Sequence, residues 1–336
     1  PEGPALPGEK PSSEKKERIR EEEAEGIENR IVSRLTAECE IEGSIWWVHN
    51  HHLGKNPVFT RALFRLAEEQ KELRLLLQIH DFPEEARYAN LRYLNLILHG
   101  AAYPIAENIR YALINSRDHR FLREAGIPDE HSFLLPNPIG ALEPAGSTER
   151  SSTTSPARRL QRAFARDFPL FDPEAPIALY PVRTIRRKNV MEAALLTHAV
   201  SRPINLLVTL PGVSQQEKNY SAMVSHAYNA GVIRGLWGIG NELEKAGLTF
   251  EELQRGADLF LSSSVQEGFG FQYVDALRWG KALVARDLPI LDDIKPYLEG
   301  AHFYDQVQVP VSSPSLSDVR PLLKMQYQER LDRLES

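Results

Sequence analysis

The stretch SSSVQEGFGFQYVDALRWGKALVA, Ser262 to Ala285, decides how the chain is read. Its left end closes the apolar run DLFLSSS, Gly268 and Gly270 flank Phe269 in a turn, a helical stretch follows, and KALVA is a second apolar run. Strand, glycine turn, helix and strand make the repeating unit of a parallel sheet. The free N–H groups and dipole of a helix start favour an anion, and glycines let a ligand approach the backbone. Glu267, held in that turn, would repel a phosphate and is better suited to accepting hydrogen bonds from hydroxyls. Asp275 lies eight residues on, two helical turns away and on a similar face. Two carboxylates around an anion-binding helix end point to a phosphate between polyhydroxyl groups, as in a sugar nucleotide. A glycine turn with a capping acid and a solvated aspartate accounts for the same spacing.

Outward from this stretch the same texture repeats. IALYPV, INLLVTL, VIRGLWG and DLFLSSS are short apolar runs separated by helical segments, which predicts a doubly wound parallel sheet. An earlier alternation runs through SIWWVHN, LRLLLQIHDF and YALINS. Between the two lies GALEPAGSTERSSTTSP, Gly140 to Pro156, without periodicity and rich in Ser, Thr, Gly and Pro, which reads as a linker. The expected division is a charged arm and helix over 1–40 and an N-terminal Rossmann-like domain with linker over 41–150. A second Rossmann-like domain follows over 151–314, and a closing helix over 315–336. Trp46 and Trp47, side by side in a strand, are expected to pack the core.

In open α/β sheets ligands sit beyond the carboxyl ends of the strands, so the polar residues that end the apolar runs deserve inspection. In YPVRTIRRKNV, Arg183 ends a strand and Lys188 opens the next helix. Such a pair can neutralise a diphosphate and stabilise the charge that builds on it as it departs. A solvated basic turn is the competing role. These residues carry a resemblance. EGFGFQYVDALRWGKALVA resembles the Glu-(seven residues)-Glu element of the retaining GT-B glycosyltransferases, family 4 in particular. Arg183 and Lys188, five apart, are similar to that family's Gly-Arg-Leu-(three residues)-Lys-Gly element. The resemblance covers about residues 177 to 305. It implies an α/β protein of GT-B type, two Rossmann-like doubly wound domains facing a central cleft. It further implies that Arg183 and Lys188 hold the donor diphosphate, that Glu267 binds sugar hydroxyls, and that backbone at Gly268, Phe269 and Gly270 meets sugar and phosphate. Asp275 takes the place of the second glutamate, which binds ribose in the family, and is one methylene shorter.

Further polar strand ends lie in the first half: His49, His51 and His52, His80 with Asp81, and Asn115 with Ser116. The resemblance implies that His80, in Gln78-Ile79-His80-Asp81, faces the donor sugar, and it makes the others acceptor-side candidates. For the histidines, zinc ligation and structural burial compete, although adjacent strand residues do not share a face. Asn115 and Ser116 could equally cap the helix that follows. Members of the family normally open with a strand and a glycine-rich loop, whereas SIWWV, the first convincing strand, resembles a later one. The N-terminal domain is therefore expected to be incomplete.

The chain has 336 residues, a net charge of -6, 42% hydrophobic and 26% charged residues, and one cysteine, Cys39. Without a basic excess, no nucleic-acid partner is expected. A single cysteine rules out an intrachain disulfide and multi-cysteine metal sites. No apolar run approaches the roughly 18 residues of a membrane span, and cytoplasmic location is the default. The resemblance implies transfer of a sugar from a nucleoside diphosphate sugar to an acceptor hydroxyl with retention. No metal or cofactor is expected, no residue offers itself as a nucleophile, and the resemblance implies same-face attack. A non-catalytic sugar-nucleotide binder or partner subunit, or a sugar-nucleotide epimerase on the same fold, are the alternatives. Base, sugar, acceptor and oligomeric state are not legible.

Overall fold

The structure is a computed structural model and describes residues 13–85, 88–138, 156–214 and 217–308. The start of the arm, the linker up to residue 155 and the closing helix lie outside the described residues.

The first half folds as α1 (Ser13–Glu38), β1 (Ile45–His49), α2 (Pro57–Glu69), β2 (Arg74–Ile79), α3 (Tyr88–Leu98), β3 (Ile109–Leu113), α4 (Ser116–Glu124) and β4 (Ser132–Leu134). The strands form a parallel sheet in the order β1-β2-β3-β4. Right-handed crossovers through an order that runs one way place the connecting helices on one face. That face holds the core, where Leu63 and Leu66 of α2 and Leu122 of α4 meet Leu77, Tyr111 and Leu113. Trp46 turns towards it and donates its indole N–H to the Glu40 carbonyl at 2.9 Å. Trp47 does not pack the core as expected. Successive strand residues point to opposite faces, and on the edge strand β1 Trp47 is 55% exposed beside Ile45 at 63%.

The second half contains α5 (Pro156–Asp167), β5 (Ile177–Arg183), α6 (Val190–Ala199), β6 (Asn205–Leu210), α7 (Lys218–Asn229) and β7 (Gly235–Trp237). It continues with α8 (Phe250–Gly256), β8 (Leu259–Ser262), α9 (Phe271–Arg278), β9 (Ala282–Arg286) and β10 (His302–Tyr304). All six strands are parallel, in the order β10-β9-β8-β5-β6-β7. Both faces are buried, which explains the continuous apolar runs. Ile177 and Leu179 of β5 enter a core shared with α5, α8 and α9, while Ala178, Tyr180 and Val182 enter a second core with α6 and α7.

The direction of winding reverses between β5 and β8. A topological switch point opens a crevice at the carboxyl ends of the strands beside it. The segments after β5 and β8 are those that carry Arg183–Lys188 and Glu267–Gly270.

Candidate active site at the cleft between the two sheets

A cavity of about 380 Å³ lies at this switch point. Its wall takes Arg183, Arg187, Lys188 and Glu267–Gln272 from the second half, and His80, Asp81, Ile114 and Asn137 from the first. The two sheets therefore meet across it.

The basic residues reach the cavity through a short turn. After β5 the chain makes a single helical turn at Arg186–Lys188, and Asn189 then adopts a left-handed conformation, φ 49°, before α6 begins. The turn is braced from below by residues that end β8. Tyr180 Oη donates to the Lys188 carbonyl at 2.5 Å and pairs with Ser264 Oγ at 2.7 Å. Ser263 Oγ donates to the Asn189 carbonyl at 2.9 Å, and the Val265 amide bonds the Arg187 carbonyl at 2.8 Å. Burial pushes the Tyr180 phenol far above its ordinary pKa, so it acts as a neutral donor.

Held this way, the Lys188 ammonium pairs directly with Glu267 Oε1, and both side chains are nearly buried. Burial holds the Lys188 ammonium below its ordinary pKa, and Glu267 opposes that effect. Glu267 Oε1 also accepts from Gln272 Nε2 at 3.1 Å. Arg187 lies 3.7 Å from Glu267 Oε2 and donates to the Gln266 carbonyl at 3.0 Å. Arg183, at the exposed end of β5, completes the basic side of the wall.

The glycines are required by the close approach of their surroundings. A Cβ on Gly268 would sit 2.7 Å from the His80 carbonyl oxygen and 3.0 Å from Asp81 Oδ1, in the other half of the molecule. Gly270 has φ 82° and precedes α9, and a Cβ there would strike the Tyr273 ring at 2.4 Å. Phe269 and Phe271 lie 5.0 Å apart between ring centroids on the same wall.

On the facing side, His80 Nε2 lies 2.9 Å from His49 Nδ1 and the two rings stack. Partial burial, with His49 beside it, holds the His80 imidazole below its usual pKa. His49 is exposed and touches His80 but is not on the cavity wall. His51 and His52 are turned inward. Both are buried, with His51 Nε2 against the Ala102 carbonyl at 3.4 Å and His52 Nε2 against the Asp81 carbonyl at 2.9 Å. Asn115 caps α4 by accepting from the Asp118 amide at 2.8 Å, and it also donates to the Gly268 carbonyl at 3.1 Å. One residue thus fills both roles that the sequence leaves open, helix cap and cleft contact. The Ser116 amide donates to Asp293 Oδ2 at 2.6 Å.

Asp275 is not on the cavity wall. It accepts from Gln254 Nε2 of α8 at 2.7 Å, and burial raises its pKa above the usual carboxylate range. The side chain that stands where the family has a ribose-binding glutamate is engaged within its own half. Asn137, Arg187 and Gln272 are the polar wall residues that sequence reasoning passes over. Arg187 was visible as the third cation of RTIRRK, and Gln272 only as a polar residue in the first turn after the glutamate. Among the described residues, no cluster of His, Cys, Asp and Glu has a metal-binding arrangement, and no helix is long and apolar enough to cross a membrane.

Two parallel sheets facing a cleft, with cations and a glycine-rich helix start at its switch point, define a GT-B protein. Solved structures bear this out at the level of the fold. A glycosyltransferase from Rickettsia africae superposes with a TM-score of 0.55 at 14% identity, over 89% of this chain and 70% of that one. Anabaena HepE in complex with UDP gives 0.53 at 13% identity, over 90% and 73%. Sucrose-phosphate synthase from Thermosynechococcus elongatus gives 0.51 at 14%, over 95% and 72%. No family model matches the chain. By sequence it is a homologue of mannosylglucosyl-3-phosphoglycerate synthase from Petrotoga mobilis, 36% identical over 293 residues. The match takes in 87% of this chain and 55% of the relative, so the chain spans about half of that protein's length.

Proposed function

We propose that this chain is a retaining glycosyltransferase that moves a sugar from a nucleoside diphosphate sugar to an acceptor hydroxyl. The observation that carries the reading is the buried Lys188–Glu267 pair at the switch point, with Arg183 and Arg187 beside it and a glycine-rich helix start below. In this account Arg183, Lys188 and the amides of Gly268–Gly270 hold the diphosphate. They stabilise the charge that gathers on it as the glycosidic bond to phosphate lengthens. Glu267 accepts hydroxyls of the donor sugar, and His80 faces that sugar from the other half. The acceptor hydroxyl attacks on the face the phosphate leaves, and the departing phosphate oxygen takes its proton. The cations do the charge stabilisation that a divalent metal performs elsewhere, so the reaction proceeds without one. Asp81, Asn115 and Ser116 border the acceptor side.

The likeness to the Petrotoga mobilis synthase supports a finer version. Its named product joins mannosyl, glucosyl and 3-phosphoglycerate units, and the matching reaction here is mannosyl transfer to a glucosyl-3-phosphoglycerate acceptor. HepE, solved with UDP and with UDP-glucose, supports a nucleoside diphosphate sugar as the donor. Arg183→Ala, at an exposed strand end, is expected to leave the melting temperature unchanged and to weaken donor binding at least about tenfold, by loss of charge-assisted contacts. Glu267→Gln is expected to lower turnover by about a hundredfold. Steady-state kinetics on both variants would reject the reading if neither constant moved.

A further inference from the structure

Gln272 is buried at 7% exposure, yet it lines the cavity. Both hydrogens of its amide nitrogen are used: Nε2 donates to Ser262 Oγ at 2.7 Å and to Glu267 Oε1 at 3.1 Å. Turning the amide over would set two acceptors against each other at Glu267, so the carboxylate fixes which end faces it. The other end, Oε1, is buried and has no hydrogen-bond partner among the described residues. Leaving a buried carbonyl oxygen without a donor destabilises the free protein, a cost removed when a ligand supplies the donor.

Glu267 shows the complementary asymmetry. Lys188 and Gln272 converge on its Oε1, while among the described residues Oε2 has only Arg187, at 3.7 Å. We propose that Gln272 Oε1 and Glu267 Oε2 together bind adjacent hydroxyls of a polyhydroxylated ligand, which under the proposed function is the sugar of the donor. Gln272 is then a specificity residue. It accepts one hydroxyl directly, and a sugar that lacks that hydroxyl or points it elsewhere leaves the amide unpaired. Sites built to hydrogen-bond a hydroxyl discriminate strongly against analogues without it. The inference rests on the proposed function for the identity of the sugar, but not for the unpaired acceptor.

The test is calorimetric titration of the full chain with a nucleoside diphosphate, the corresponding nucleoside diphosphate hexose, and its monodeoxy derivatives. Gln272→Met keeps the length of the side chain and removes both polar ends. It is expected to bind the nucleoside diphosphate within about twofold of the unaltered protein and the sugar nucleotide about tenfold more weakly. One monodeoxy derivative, the one that lacks the hydroxyl Gln272 accepts, should be penalised by the unaltered protein and not by this variant, while the other penalties persist, an outcome that a purely structural role through Glu267 would not give. Gln272→Asn, with its shorter amide, carries the same comparison should the methionine variant fold poorly. Unchanged sugar-nucleotide affinity in the variants, or an unchanged penalty for every deoxy derivative, overturns the inference. An unaltered protein that binds the nucleoside diphosphate but no sugar nucleotide overturns the proposed function instead.

Discussion

A hydrogen in place of a methyl at residue 268 sets how near the glycine turn after β8 comes to the opposite half. The Gly268 carbonyl accepts from Asn115 while its Cα leaves no room for a Cβ against His80 and Asp81. Gly268→Ala is expected to push the two turns apart by a few tenths of an ångström or more and to raise the donor KM about tenfold, because a small misplacement of positioned groups is costly. An unchanged KM would show that this approach is not used. At this scale the sequence was informative where chemistry follows from local spacing. Arg183, Lys188 and Glu267 could be grouped because each lies where an apolar run hands over to a helix, and they share one wall. It was silent where a partner is distant. Nothing near Asp275 reveals that Gln254, 21 residues earlier, ties it down, and nothing near His51 reveals that it turns away from the cleft.

Among the elements, the loop between β1 and α2 carries an acid-sensitive feature. Burial, with His52 beside it, holds the His51 imidazole well below its usual pKa of 6.5, and its Nδ1 has no hydrogen-bond partner among the described residues. The rings of His51 and His52 lie 4.8 Å apart, and the His51 carbonyl accepts from Thr60 of α2. The folded state therefore binds fewer protons here than the unfolded chain. The stability this protects is fully present above about pH 6.5 and declines as pH falls below it. Denaturant unfolding from pH 7.5 to 5 is expected to show that decline, and His51→Phe to flatten it; equal slopes in the two proteins would contradict the assignment. Elements were readable where their pattern is strong. The parallel strands of the second half were legible because both faces are buried and the runs are continuous. Between VIRGLWG and DLFLSSS, where a helical segment is expected, the chain near Glu242 makes a single turn at Ile239–Asn241 and further turns before α8. Trp47 misleads because an aromatic pair in a strand looks the same from sequence whether the second face is covered or open.

For the whole molecule, the two halves are held together at the glycine turn after β8. Gln266 donates to Glu85 Oε2 at 3.1 Å and to the Glu85 carbonyl at 3.3 Å, and Arg117 of α4 pairs with the same carboxylate. The Ser116–Asp293 bond adds a second strut. Residues that the proposal assigns to the donor are therefore gripped from both sides, and loss of either half would disorder the other's contribution. This coupling could not be read from the sequence, since the pair 85 and 266 joins positions in separate alternating blocks. The proposed function rests on one claim above all, that a nucleoside diphosphate sugar is cleaved in this cleft and its glycosyl group passed to a hydroxyl. The direct measurement is mass spectrometry and NMR of the products after incubating the chain with a nucleoside diphosphate mannose and glucosyl-3-phosphoglycerate. The expected result is release of the nucleoside diphosphate together with a mannosylated product that keeps the donor's anomeric configuration. A donor that stays intact with the acceptor present, while calorimetry shows it bound, would contradict the account.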